Sequence, residues 1–187
     1  MSRILRTFIA IKLDETTIKK LSLIQNDFKK TGADVKWVAP QNIHLTLKFL
    51  GDTSEDKIPS LRQVLEKAVA GTSPFLLELT HTGAFPTHEH PQVIWIGITD
   101  GKTKLLELAS RIEEELFIVG IPKEKRSFDA HVTLGRVRSS LNTFALTKLL
   151  KVYSFPAFAQ EVKKIYFLKS TLTSHGPIYE PLGTLPL

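Results

Sequence analysis

A four-residue pattern occurs twice in this chain, and it limits the possible folds more than any other feature. His44-Leu45-Thr46-Leu47 returns as His131-Val132-Thr133-Leu134. Composition alone predicts about 0.08 copies of His-apolar-Thr-Leu by chance. Each copy sits in an apolar run of strand length, where residues two apart share a face. On that alternation Ile43, Leu45, Leu47 and Phe49 point into a core, while His44, Thr46 and Lys48 point away. In the second copy Ala130, Val132 and Leu134 face the core, and His131 and Thr133 face out. Brought together across a cleft, the two polar fronts supply two imidazoles and two hydroxyls.

That set suits phosphoryl chemistry. Histidine titrates near neutrality, so one imidazole can be neutral while the other is protonated. The neutral ring can take a proton from water, and the imidazolium can give one to a departing ribose oxygen. Threonine hydroxyls can donate to the non-bridging phosphate oxygens. Arg136, just after the second copy, can add a charge-assisted bond. One histidine on a strand is ordinarily a surface or structural residue; two matched copies point to catalysis. The candidate site is therefore His44 and His131, with Thr46, Thr133 and Arg136 holding phosphate.

Metal chemistry is the rival use of paired histidines. Threonine is a poor zinc ligand, and the chain has neither an H-E-x-x-H motif nor any cysteine. No metal and no cofactor are expected. His88-Glu89-His90 precedes Pro91 in a turn-like segment and reads as a solvated loop. His81 and His175 lack a partner pattern and receive no role. Lys123, Lys125 and Arg126 are either a solvated loop or a phosphate-tracking patch. Neither a Gly-rich phosphate loop nor a G-x-S-x-G elbow is present.

The 187 residues suit one domain, or one domain with two lobes, and 42% apolar content suffices for a core. No stretch approaches the roughly 20 apolar residues of a membrane helix. The basic-then-apolar N-terminus is broken by Lys12 and Asp14 and lacks a small-residue cleavage site, so it reads as the first strand of a cytosolic protein. A formal charge of +6 is compatible with an anionic partner and equally with a solvated basic surface.

Periodicity places strands at 7–13, 43–50, 75–80, 93–98, 130–137, 162–168 and 178–182. Asp14 is placed to cap a helix over 15–30, with Ile18, Leu21, Ile24, Gln25 and Phe28 at helical spacing. A second helix is expected to open at Thr53 or Ser54 and stop at Gly71. A third spans 103–119 and a short fourth 142–150. Gly83 to Pro91 reads as a loop between two strands. The helices are too few and too irregularly placed for a doubly wound sheet, so an α+β fold with mainly antiparallel sheet is expected.

The paired His-x-Thr motifs resemble those of the 2H phosphoesterase superfamily, and most of all the RNA 2′,3′-cyclic phosphodiesterase family, historically called 2′-5′ RNA ligases. The resemblance covers nearly the whole chain. It runs through the opening strand from Arg6 to Ile11, the flanked first motif from Trp37 to Gly51, and Gly83-Ala84-Phe85-Pro86. It continues through the second motif from Phe128 to Arg136 and the closing segments Ile165 to Ser170 and Gly176 to Tyr179. Some members have proline beside the second histidine where this chain has Ala130. The resemblance implies a single bilobal, pseudo-twofold-symmetric α+β domain over residues 1–187. Two mainly antiparallel sheets would line a central cleft with helices packed outside, and each lobe would supply one His-x-Thr strand (44–47 and 131–134). It also implies that His131 is the base activating water, that His44 is the acid protonating the 3′ oxygen, and that the product is a 2′-phosphate.

The expected function is thus metal-independent hydrolysis of RNA 2′,3′-cyclic phosphate ends. The expected partner is RNA or a nucleotide end, met by a cytoplasmic monomer with no membrane association. The alternatives are a 2′-5′ RNA ligase or phosphodiesterase, or a nucleotide cyclic phosphodiesterase, on the same scaffold. From another class, a non-catalytic RNA-binding module would use the basic charge and Trp37, Phe85 and Trp95 for base stacking, although such aromatics ordinarily belong to a core. Substrate length and base preference are not written in the sequence.

Overall fold

β-Branched and aromatic residues crowd Ile4–Lys12, which forms strand β1. Asp14 stops it: its carboxylate accepts from the Thr17 backbone N–H at 2.6 Å and caps helix α1, Glu15–Lys29. The rest of the chain follows as β2 (Val35–Trp37), a 3₁₀ turn at Pro40–Asn42, β3 (His44–Ser54), α2 (Ile58–Val69), β4 (Phe75–Pro86) and β5 (Pro91–Ile98). Then come α3 (Lys102–Ile118), β6 (His131–Val137), α4 (Thr143–Val152), β7 (Phe158–Val162), β8 (Lys164–Thr173) and β9 (Gly176–Pro186). This computed structural model describes residues 2–174 and 176–187; Met1 and His175, the latter given no role from sequence, lie outside them.

The strands build two sheets, ordered β3-β1-β8-β9 and β2-β6-β5-β4-β7, and every pairing is antiparallel. This is the expected α+β fold of two antiparallel sheets. Two helices cross over, α1 from β1 of the first sheet to the second and α3 from β5 of the second sheet to the first. The helices that pack on the first sheet are α2 and α3, and those on the second are α1 and α4. One continuous core joins the helix faces to the backs of both sheets, through residues such as Ile9, Leu45, Phe28, Leu65, Leu108 and Val132. The arrangement repeats: β1 pairs with β3 across α1 in sequence, and β5 pairs with β6 across α3.

Several strand ends shift from the sequence reading, β8 and β9 both running longer than expected, and two boundaries change an element. The second helix does not open at Thr53 or Ser54; β3 runs through both, and a 3₁₀ turn at Glu55–Lys57 precedes α2. Thr53 is already engaged, its hydroxyl 2.8 Å from that of Thr7 across the ladder, so it has no cap to give. Nor is Gly83 to Pro91 a loop, because β4 continues to Pro86. Gly83 is there to make room: a Cβ at this position would lie 2.2 Å from the Trp95 indole. The short strands β2 and β7 were not anticipated, since three and five residues carry little periodicity.

Candidate active site

The two motif strands share one local structure. In β3 the pairing with β1 skips Leu47, and in β6 the pairing with β5 skips Leu134. Both are the fourth residue of the repeat, and both are β-bulges. A bulge adds a residue and reverses the alternation beyond it. Leu47 and Lys48 are therefore both buried, as are Leu134 and Gly135, and the next residues, Phe49 and Arg136, come round to the polar front. The strict alternation expected from sequence fails at this point. Phe49 is not in the core but 56% exposed on the cleft, and Lys48 is not on the front but 3% exposed behind it. The same bulge is what turns Arg136 toward the cleft.

Each bulge is braced by the helix behind it. The Leu134 carbonyl accepts from the Val38 backbone N–H at 2.9 Å and from Gln25 Nε2 of α1 at 2.9 Å. Lys48 Nζ donates to Glu113 of α3 at 2.6 Å and to the Pro122 carbonyl at 3.0 Å. Glu113 also accepts from the Glu124 backbone N–H. Because α1 and α3 cross over, each helix that follows one sheet's strand in sequence steadies the motif strand of the other sheet. Sequence reading placed Gln25 on a buried helix face but gave it no such task.

All five residues expected at the site, His44, Thr46, His131, Thr133 and Arg136, line one cleft of about 510 Å³ between the sheets. The two histidines are held alike. His44 opens β3 and donates from Nδ1 to the Asn42 carbonyl at 2.6 Å; His131 opens β6 and donates from Nδ1 to the Asp129 carbonyl at 2.8 Å. A carbonyl can only accept, so the neutral tautomer carries its proton on Nδ1 and leaves Nε2 for a ligand. Asn42 is itself fixed, its side chain donating to the Pro177 carbonyl at 2.8 Å.

The surroundings of the two rings differ. Phe8 and Tyr179 pack on His44 with ring centroids 5.1 and 5.3 Å away, the tyrosine edge-on. Burial there pushes the His44 pKa below its ordinary 6.5, against the opposing pull of the Asn42 carbonyl bond. Phe85, at 5.0 Å and nearly perpendicular, and Trp95, at 6.2 Å, pack on His131. Those two aromatics thus buttress a site histidine, and the third, Trp37, lines the cleft.

Sequence reading missed further cleft residues. Arg6, Lys36 and Tyr179 line the cleft, and neither of the two cations nor Arg136 pairs with a carboxylate among the described residues. Burial raises the Tyr179 pKa, while the nearby Arg6 and Arg136 pull it down. No alternation marked Arg6, because its neighbours on the cleft face, Phe8 and Ala10, are apolar like the back of the strand. Elsewhere, Glu89 is held by Lys151 at 2.8 Å, which draws its carboxyl down to about 2, and it belongs to the short turn between β4 and β5. Lys123, Lys125 and Arg126 are exposed and stand outside the cleft lining. No cluster of three or more metal-ligating side chains occurs among the described residues, and none of their helices is long and apolar enough to cross a membrane.

The family described as LigT-like phosphoesterase matches residues 11–95 and 96–179, and each range contains one copy of the repeat. An RNA 2′,3′-cyclic phosphodiesterase of Methanocaldococcus jannaschii is 36% identical, over 94% of this chain and 97% of its own length. One of Aquifex aeolicus is 40% identical over 77% of each chain. Among solved structures, TT0787 of Thermus thermophilus superposes with a TM-score of 0.81 at 25% identity, covering 98% of both chains. The fold is also that of Escherichia coli LigT complexed with 3′-AMP, with a TM-score of 0.80 at 23% identity over 99% of both chains.

Proposed function

The chain belongs to the LigT-like phosphoesterase family, and on that premise we propose that it hydrolyses RNA 2′,3′-cyclic phosphate ends to 2′-phosphates by two-histidine acid–base catalysis. The observation that carries this reading is the matched pair of imidazoles. Each is fixed through Nδ1 to a backbone carbonyl, and both line one cleft with a threonine two residues on.

In this mechanism His131 Nε2 takes a proton from a water molecule as the water oxygen bonds to phosphorus. The bond from phosphorus to the ribose 3′ oxygen breaks, and His44 Nε2–H gives its proton to that oxygen. The 2′ ester bond survives. Thr46 and Thr133 donate to the non-bridging oxygens, and Arg136 offsets their charge, so the developing negative charge meets donors already in place. The burial that depresses the His44 pKa makes its imidazolium a readier proton donor, and the bound phosphate supplies the counter-charge that keeps it protonated until the transition state. Exchange with solvent then restores both rings. The two lobes act as one domain over residues 1–187, and the enzyme works as a cytoplasmic monomer without a metal or cofactor.

The test is product analysis on an oligonucleotide ending in a 2′,3′-cyclic phosphate, with EDTA present. The expected product carries a 2′-phosphate, formed at an undiminished rate. A 3′-phosphate product would reverse the leaving group, and loss of turnover restored by a divalent ion would replace one of the histidine roles.

A further inference from the structure

The two lobes match at the motifs but not one strand further out. In the β1–β3 register Lys12 stands opposite His44, whereas in the β5–β6 register Gly97 stands opposite His131. Direct antiparallel partners share a sheet face. On the His131 side that face is filled: a Cβ on Gly97 would lie 2.2 Å from the ring of His81, and Phe85 and Trp95 close around His131. On the His44 side it is open and cationic. Lys12 Nζ lies 4.8 Å from the centre of the Tyr166 ring, and Lys164 Nζ lies 5.6 Å from the same ring. Tyr166 pairs with Ala10, and Ala10 pairs with Thr46, so the ring belongs to the cleft-facing side of the sheet. Both lysines are exposed, and neither has a carboxylate partner among the described residues. A smaller pocket of about 230 Å³ carries the cleft past His44: it shares Asn42, His44, Pro177 and Tyr179 with the main cleft and adds Lys12.

We infer that Lys12 and Lys164, set over Tyr166, form a subsite for the phosphodiester backbone upstream of the reacting end, so that the RNA strand leaves the cleft past His44. This rests on the proposed hydrolysis, in which the ribose lies on the His44 side of the phosphate. Single strands are held in large part through backbone charge, and this surface supplies two ammonium groups gathered over one ring. The His131 side offers neither room nor unpaired charge at the corresponding place. The consequence is a preference for oligonucleotide ends over mononucleotide cyclic phosphates.

The measurement is the ratio of kcat/KM for a trinucleotide ending in a 2′,3′-cyclic phosphate to kcat/KM for the nucleoside 2′,3′-cyclic phosphate. In Lys12→Gln/Lys164→Gln this ratio is expected to fall about tenfold, as two exposed ionic contacts are lost. The salt dependence of trinucleotide binding should become shallower by about 1.4 in log–log slope, about 0.7 per released phosphate contact. An unchanged ratio would overturn the subsite. So would an equal fall on both substrates, which would place the lysines at the reacting end, or a ratio abolished instead by Lys36→Gln, which would send the strand out of the other end of the cleft. Equilibrium binding of a 2′-phosphate-terminated trinucleotide against the nucleoside 2′-phosphate reads the same ratio without turnover. A cleft that hydrolyses neither substrate yet shows the lysine-dependent binding ratio would therefore defeat the proposed reaction and leave the subsite standing.

Discussion

Replacing Lys48 with methionine removes the ammonium behind the first motif strand while keeping most of the apolar stem. Its side chain is 2% exposed, and its partner Glu113 is 21% exposed. Stranding one member of a buried ion pair costs about 3–5 kcal/mol. Glu113 is partly wetted and keeps the Glu124 backbone N–H, which lowers that figure; the orphaned Pro122 carbonyl adds about 1 kcal/mol. The net expectation is a loss of about 2–4 kcal/mol in urea unfolding at pH 7, read from the midpoint at constant m-value. Lys48→Met/Glu113→Gln should lose clearly less than the sum of the single losses, because the carboxylate that Lys48 leaves stranded is then gone. The pair also anchors the segment entering the second motif, two residues before which Asp129 holds His131. Turnover of Lys48→Met should accordingly fall further than its KM changes, since small misplacements of a base are costly. A stability loss under about 1 kcal/mol, or strict additivity in the double mutant, would show a solvated pair and refute the bracing argument.

His44→Ala and His131→Ala should each reduce turnover by about 10²–10⁴-fold, and the double mutant by much less than the product of the two, because the proposed mechanism uses both in one transition state. Binding of an unreactive RNA end should weaken only modestly in either mutant; equal loss of binding and turnover in His131→Ala would make His131 a ligand contact and remove its general-base role. Burial keeps the His44 pKa below 6.5 in the folded protein, so its contribution to stability is complete above pH 6.5 and is lost as pH falls through the lowered value. Phe8→Ala, which admits water to the ring, should move the corresponding limb of the bell-shaped pH–rate profile upward, and a stationary limb would contradict burial as the cause. Arg136→Lys keeps the charge but loses the planar fork, and should recover only part of the turnover lost in Arg136→Ala; full recovery would reduce Arg136 to a point charge.

Short-range pattern determined a good deal by itself. Period-two alternation around His44 and His131 identified two amphipathic strands, because side-chain direction along a strand is a local property, and the few, irregularly placed helices pointed to mainly antiparallel sheet. The cap at Asp14 and the apolar spacing through Phe28 located α1 for the same reason. The composition of the cleft was legible too, since a twice-used His-x-Thr front names its own residues, and His44, Thr46, His131 and Thr133 line one cleft. Tertiary structure decided the rest. A bulge exists only relative to a partner strand, so nothing within residues 44–54 announces that alternation reverses at Leu47, that Phe49 turns out to the cleft or that Lys48 turns in toward Glu113. The same reversal at Leu134 brings Arg136 to the front, for a reason that the sequence does not display. Arg6, Lys36 and Tyr179 reach the site because the sheets meet across it, and Gln25 reaches the Leu134 carbonyl because α1 crosses to the opposite sheet. These contacts join residues far apart in the chain, and their geometry is set by how the sheets and helices pack, not by the spacing of residues along any one of them.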